Sequence, residues 1–215
     1  VVDAGLQVDT VIAYDPDQMT EEQKKMADTT GSELELPKLL PAGTVFFAGG
    51  SHLDLVWMAN KSTLGQTAGM GEDVSQSMEL FAEQYGFNPD TDLFPYLDGE
   101  WGLAVMPADS GLFAQSMNVS LGGLLIAETS NSDKISGVVS GFSSSMLEMG
   151  LQFEDISVGS DTLKQAVDPS MGPMFTFGLS QGHLVIATSS EMVEATLNTT
   201  DPLSNSERYQ LVLNA

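Results

Sequence analysis

Between Ser132 and Ala187 the hydrophobic period changes once, and that change restricts the fold more than any other feature of the sequence. Ile135, Val138, Val139, Phe142, Met146 and Met149 recur at helical spacing, follow Ser132 and Asp133, and stop at Gly150. Residues three and four apart share one helix face, so the segment reads as an amphipathic helix of about four to five turns. Four short strand candidates follow: Leu151–Ile156, Thr162–Val167, Met174–Leu179 and His183–Ala187. The tight link Ser180-Gln181-Gly182 makes the last two a hairpin. A helix with one apolar face must bury it, and neighbouring hairpins supply the surface. The expected class is α+β, with a mostly antiparallel sheet packed against amphipathic helices. The regular alternation of strand and helix that builds a doubly wound fold is absent.

The rest of the chain fits that class. Leu6, Val8, Thr10, Ile12 and Tyr14 alternate with Gln7, Asp9, Val11 and Ala13, which reads as a half-buried strand. Thr20-Glu21-Glu22-Gln23 is a capping box for a short exposed helix. Residues 28–38 are polar without a period and read as a linker. Thr44–Ala48 reads as a buried strand ending at Gly49-Gly50, after which Ser51 can cap a helix holding Leu53, Leu55, Val56 and Met58. Residues 64–72 read as a glycine-rich loop. Asp73 then caps a helix with Val74, Met78, Phe81 and Tyr85 on one face, closing at Gly86. A short helical stretch over Asp92–Leu97 breaks near Pro95, and Trp101–Met106 and Leu121–Ala127 read as strands. Glu191–Leu197 is a helix capped by Ser189 or Ser190, and Ser204-Asn205-Ser206-Glu207 is a capping box for a last one. Val45–Met106 and Leu124–Ala187 share the order strand, helix, strands, a two-fold internal repeat of slight sequence identity.

Charge narrows the function classes. Thirty Asp and Glu stand against seven Lys and Arg among 215 residues, a formal charge of −23. The acids are spread along the chain rather than gathered in runs, so the imbalance comes from missing lysine and not from an acidic tail. With 42% hydrophobic residues the chain can bury a core. Nucleic acid is excluded as a partner, because phosphate binding needs clustered Lys and Arg. No stretch reaches the roughly eighteen apolar residues of a membrane helix, so direct membrane insertion is not expected of this fragment. No cysteine is present, which removes disulfides, thiolate metal sites and cysteine nucleophiles. Spread carboxylates with few cations repel one another, and salt or divalent cations relieve that repulsion. A salty or calcium-containing extracytoplasmic setting suits such a chain better than a cytoplasm. Three Asn-x-Ser/Thr sequons, at Asn60, Asn118 and Asn198, carry meaning only where the source glycosylates.

Few residues offer chemistry. Ser51, His52 and Asp54 are the residue types of a hydrolase triad, but side chains so close in sequence cannot adopt its through-space geometry. His183 lies far off on a strand, and no Gly-x-Ser-x-Gly elbow occurs. Gly65 to Gly71 resembles a phosphate loop in spacing but lacks its Lys-Ser/Thr ending, and Glu72-Asp73 would repel a phosphate. No catalytic residue and no organic cofactor is expected. Calcium is the one metal to consider. Asn88, Asp90 and Asp92 alternate ahead of Asp98 and Glu100, and calcium takes hard oxygen ligands. Asp90, Asp92 and Asp98 are therefore the calcium candidates, although Leu93 and Gly99 occupy positions where an EF-hand loop needs Gly and Glu. Asp15, Asp17 and Glu22 form a second cluster, and both clusters also make sense as helix caps. Trp57 on a helix face and Trp101 at a strand start are better core residues than sugar platforms.

Three segments together carry a resemblance. Leu40-Pro41-Ala42-Gly43-Thr44 opens a strand, Asp92 to Glu100 leads into another, and Gly182 to Ser190 runs from strand to helix. They resemble an uncharacterised family of bacterial envelope proteins, the domain of unknown function thirty-three fifty-two, over roughly residues 38–212. Tyr96 and Asp98 stand where the family pattern leads one to expect Trp and Gly. The resemblance implies a secreted or membrane-anchored protein, longer than this chain and built of such segments in tandem, and it supplies no catalytic residues. Residues 1–37 then read as the end of a preceding unit plus a linker, 38–118 as a first α+β unit and 119–215 as a second. The expected function is a non-enzymatic structural or interaction module at the cell surface, docking to a protein partner or assembling with itself. The alternatives are a calcium- or small-ligand-binding surface protein and an acid-active hydrolase using paired carboxylates.

Overall fold

In the computed structural model the described residues are 33–67 and 74–213, with Met19 and Lys24 singly. The strand expected at Leu6–Tyr14, the capping box at Thr20 and the second acidic cluster lie outside them. Among the described residues seven strands form one antiparallel sheet: β1 (Phe46–Ser51), β2 (Glu100–Pro107), β3 (Leu121–Glu128), β4 (Gln152–Val158), β5 (Asp161–Asp168), β6 (Gly172–Ser180) and β7 (His183–Ala187). Their order across the sheet is β1-β2-β3-β7-β6-β5-β4. The helices are α1 (Leu53–Thr67), α2 (Val74–Tyr85), α3 (Leu112–Met117), α4 (Ser132–Glu148), α5 (Ser190–Leu197) and α6 (Glu207–Leu213). The chain is α+β, as its hydrophobic pattern predicts. The two-fold repeat is not shown by this arrangement. The first stretch supplies β1 and β2 with two long helices between them, whereas the second supplies β3, one long helix and the four-stranded meander β4–β7.

Alternation along the strands divides the core in two. Ala104, Met106, Leu124, Ile126, Val185 and Ala187 point to one face, and there they meet Leu36, Leu40, Met192, Val193 and Leu203. This layer holds α5 and the turns Leu36–Lys38 and Leu203–Asn205, with Pro41 bridged to Pro202. Strand pairs such as Leu124 opposite Ala187 and Ile126 opposite Val185 align these side chains in rows. Fully burying one such aliphatic chain stabilises by about 1.5–3 kcal/mol. On the opposite face Leu97, Ala127, Ile135 and Leu184 form a smaller core with Leu53, Leu93, Phe94 and Trp101. Here α4 covers the sheet. The Asn131 side chain caps it by accepting the Lys134 N–H at 3.1 Å, and Gly150 at φ +94° ends it.

Several local expectations are revised. Residues 64–67 continue α1 instead of opening a loop. The end of the expected linker is a 3-10 turn with Leu36 1% exposed, because the Glu100 carboxylate accepts the Glu35 and Leu36 N–H groups at 2.8–3.0 Å. Among the described residues β1 is an edge strand rather than a buried one, with Phe46 54% exposed. His52, not Ser51, precedes α1; it sits at φ +60°, and its carbonyl accepts the Leu55 and Val56 N–H groups. The last helix is capped by Ser206, whose hydroxyl accepts the Tyr209 N–H, and not by Ser204. The helix α3 carries no cap or period in the sequence and was not expected.

Candidate functional site

The acidic stretch from Asn88 to Glu100 is tied up in structure. Asn88 and Asp92 brace the start of the turn: the Asn88 side chain accepts the Asp90 N–H at 2.9 Å, and the Asp92 carboxylate accepts the Asn88 N–H at 2.8 Å. Pro89 starts the π-type turn Pro89–Leu93, where its missing N–H costs nothing. The Asp90 carboxylate accepts the Trp57 indole N–H at 2.6 Å and the Lys61 ammonium at 3.2 Å. Trp57 then stacks on Phe94 with ring centroids 4.1 Å apart and an interplanar angle of 10°. Asp90 thus fastens α1 to the turn that leads into β2. Asp98 is half-buried just before β2, and Glu100 holds the Leu36 turn from its position on β2. Asp90, Asp92 and Asp98 are not gathered round one point. Among the described residues no three His, Cys, Asp or Glu side chains are placed to hold a metal ion.

The triad residue types do not assemble either. His52 Nδ1 lies 3.4 Å from Asp54 Oδ1, both side chains are 18% exposed, and neither atom has a hydrogen-bond partner among the described residues. Ser51 pairs in register with Glu100. His183 sits on β7 opposite Glu128, and its Nδ1 meets the Gln181 carbonyl at 3.0 Å. A carbonyl can only accept, so the neutral ring carries its proton on Nδ1.

Three side chains are shifted from their ordinary protonation by their surroundings. Asp168 accepts the Ser170 hydroxyl at 2.6 Å and the Ser170 and Met171 N–H groups, which hold its carboxyl below the ordinary value of 3.8. Burial raises the Tyr209 phenol, and the Glu33 and Glu100 carboxylates add to the shift. Lys38 is raised by its bond to Glu35 at 2.6 Å. None of these three groups is among the side chains that line the hollows on the α4 face of the sheet.

What the sheet does present is an apolar trough. Side chains of β1, β2, β3, β7 and β6 on the α4 face line three hollows in a row. The first, about 440 Å³, lies between α1 and the sheet, with Val56, Trp57, Phe94 and Trp101 round it. It shares Leu103 and Leu125 with the second, about 390 Å³, which adds Phe46, Val105 and Phe113. The second shares Phe175 and Ile186 with the third, about 200 Å³, closed by Phe142 and Phe177. No charged side chain lines any of the three; Asn60 and Thr188 are the polar ones. Phe46, Leu103 and Ile186 are 54%, 46% and 40% exposed. Sequence reasoning missed this site. Strands β2, β3 and β7 are apolar on both faces, and that pattern does not say which face a helix leaves open.

Family comparison decides the lineage. The family model described as Protein of unknown function (DUF3352) matches residues 1–215. The chain belongs to this family. No curated protein and no solved structure matches it. Within this DUF3352 chain, the three segments that carried the resemblance hold defined places. Leu40–Thr44 leads into β1 beside the Pro41–Pro202 bridge, Asp92–Glu100 forms the turns before β2, and Gly182–Ser190 is β7 with the start of α5.

Proposed function

We propose that the chain is a non-enzymatic interaction module of a bacterial envelope protein, working outside the cytoplasm. The trough carries this reading. An uncharged hollow lined by Phe46, Leu103, Leu125, Phe175 and Ile186, and partly open to solvent, gains free energy when a partner covers it. The carboxylates that might have served chemistry act instead as fasteners. Asp90, Asp92 and Glu100 each spend their oxygens on backbone, indole or ammonium donors. The formal charge of −23 without cysteine fits an extracytoplasmic setting, where salt screens the surplus and no reducing pool protects a thiol.

Two measurements test the reading in the source cell. A photo-crosslinking amino acid at Leu103 is expected to give one discrete adduct with another protein, while the same group at the exposed Glu154 gives none. A membrane-impermeant amine reagent is expected to label the chain without lysis of the inner membrane. Equal crosslinking at both positions would remove the trough from the proposal, and labelling only after lysis would remove the location.

A further inference from the structure

The two edges of the sheet are guarded differently. Edge strands expose unpaired N–H and C=O groups, and proteins blunt them with charge, proline or bulges. The far edge, β4, obeys: it carries Glu154 and Asp155, the latter paired with Lys164 of β5 at 2.5 Å. The near edge, β1, is Phe-Phe-Ala-Gly-Gly-Ser, with no charge and no proline. Among the described residues only β2 pairs with it. In an antiparallel ladder alternate residues of such a strand point their N–H and C=O away from the partner. Phe46 of this strand also lines the trough, so this edge and the open apolar face meet.

Charge says which occupant suits that edge. A second copy brings another −23, and like charge opposes its approach. Glu100 pairs with Ser51 at one end of β1, the His52 and Asp54 N–H groups bond the Gly99 and Leu97 carbonyls on either side of Asp98, and neither β1 nor β2 contains a Lys or Arg. We propose that the outer edge of β1 takes up an extended strand of a partner protein in which apolar and basic residues alternate. Its main chain completes the ladder, its apolar residues continue the row of Phe46 over the trough, and its cations face the surrounding carboxylates. Such strand addition draws affinity from the backbone and selectivity from alternate side chains. This rests on the interaction-module reading and specifies its partner.

The test uses the full chain and an eight-residue peptide of alternating Val and Lys at physiological salt. Three relatives serve as controls: the peptide methylated on alternate amide nitrogens, one with Glu for Lys, and one with the same residues in two blocks. Binding is followed by calorimetry and by amide exchange at residues 46–51. The alternating peptide is expected to bind and slow exchange on β1, methylation to weaken it at least tenfold, and the Glu and block peptides to fail. Phe46→Lys, at an exposed position, is expected to abolish binding while the far-ultraviolet spectrum stays unchanged. Equal binding of the methylated peptide would overturn strand addition while leaving a trough that binds. Absence of binding by every peptide, or β1 amides already as protected as those of β3 in the free chain, would also overturn it. Concentration-dependent dimerisation with β1 protection would reassign the edge to a second copy.

Discussion

Asp90 binds two side chains, Trp57 and Lys61, and its replacement separates their contributions. Its carboxylate satisfies a half-buried indole N–H, and bonds to charged groups contribute about 1.5–3 kcal/mol. The Lys61 pair adds little, since both side chains stay wet, at 35% and 20% exposure. Asp90→Ala is therefore expected to cost about 2 kcal/mol in urea unfolding, with Asp90→Asn costing roughly half as much because an acceptor remains for Trp57. Equal losses would mean that the charge, not the indole bond, matters. Asp168 gives a pH signature at the same scale. Its folded pKa lies below the ordinary 3.8, so the stability it contributes is present above that value and is lost as pH falls through the folded pKa. Ser170→Ala removes the largest cause. The side-chain carboxyl titration of Asp168, followed by NMR, is expected to move up towards 3.8 in that variant, and the stability gap from the parent chain to narrow below that pH. A midpoint unmoved by the substitution would assign the shift to the two backbone donors instead.

Among the elements, those with a local cause were legible. α4 announces itself through Ile135, Val138 and Phe142 and through Gly150, and the β6–β7 hairpin through Gln181-Gly182, both at positive φ as its two-residue turn requires. The failures have tertiary causes. Leu36 sits in a polar stretch, yet it joins the core, and Glu100, distant in sequence, holds its N–H there. β1 reads as buried since Val45, Phe46 and Phe47 are apolar, yet among the described residues the sheet ends there. The short α3 exists because the Thr188 carbonyl accepts the Leu112 N–H at 3.0 Å. Gly111 makes that approach possible: it stands at φ +91°, and a Cβ would run into the same carbonyl oxygen. Gly111→Ala combines strained backbone with a clash against main chain, and is expected to cost on the order of 3 kcal/mol. Thermal unfolding checks this, and a loss below about 0.5 kcal/mol, the size of a neutral surface change, would show that α3 can shift freely. The calcium candidates were legible as residues but not as partners, because spacing does not reveal that an indole and an ammonium claim Asp90.

For the whole molecule, the order β1-β2-β3-β7-β6-β5-β4 joins two stretches through the β3–β7 ladder, a pairing across some sixty residues that no local signal marks. The chain built on that sheet carries a formal charge of −23, and seven Lys and Arg cannot neutralise thirty Asp and Glu. Self-repulsion of this kind acts over the Debye length, about 10 Å at 0.1 M salt and 3 Å at 1 M. Sodium chloride from about 0.01 to 0.5 M, which shortens that length several-fold, is thus expected to raise the unfolding temperature by several degrees without a saturating step. A bound ion behaves differently, since site occupancy stabilises by mass action and saturates near its dissociation constant. Calcium would have to displace Lys61 and the Trp57 indole from Asp90, and no described cluster gathers three carboxylates for it. Calcium and magnesium chloride at matched ionic strength are accordingly expected to give the same rise. A calcium-selective, saturating increase that disappears in Asp90→Asn would reverse this and make the turn before β2 a metal site. An increase that survives that substitution would place the ion elsewhere on the acidic surface.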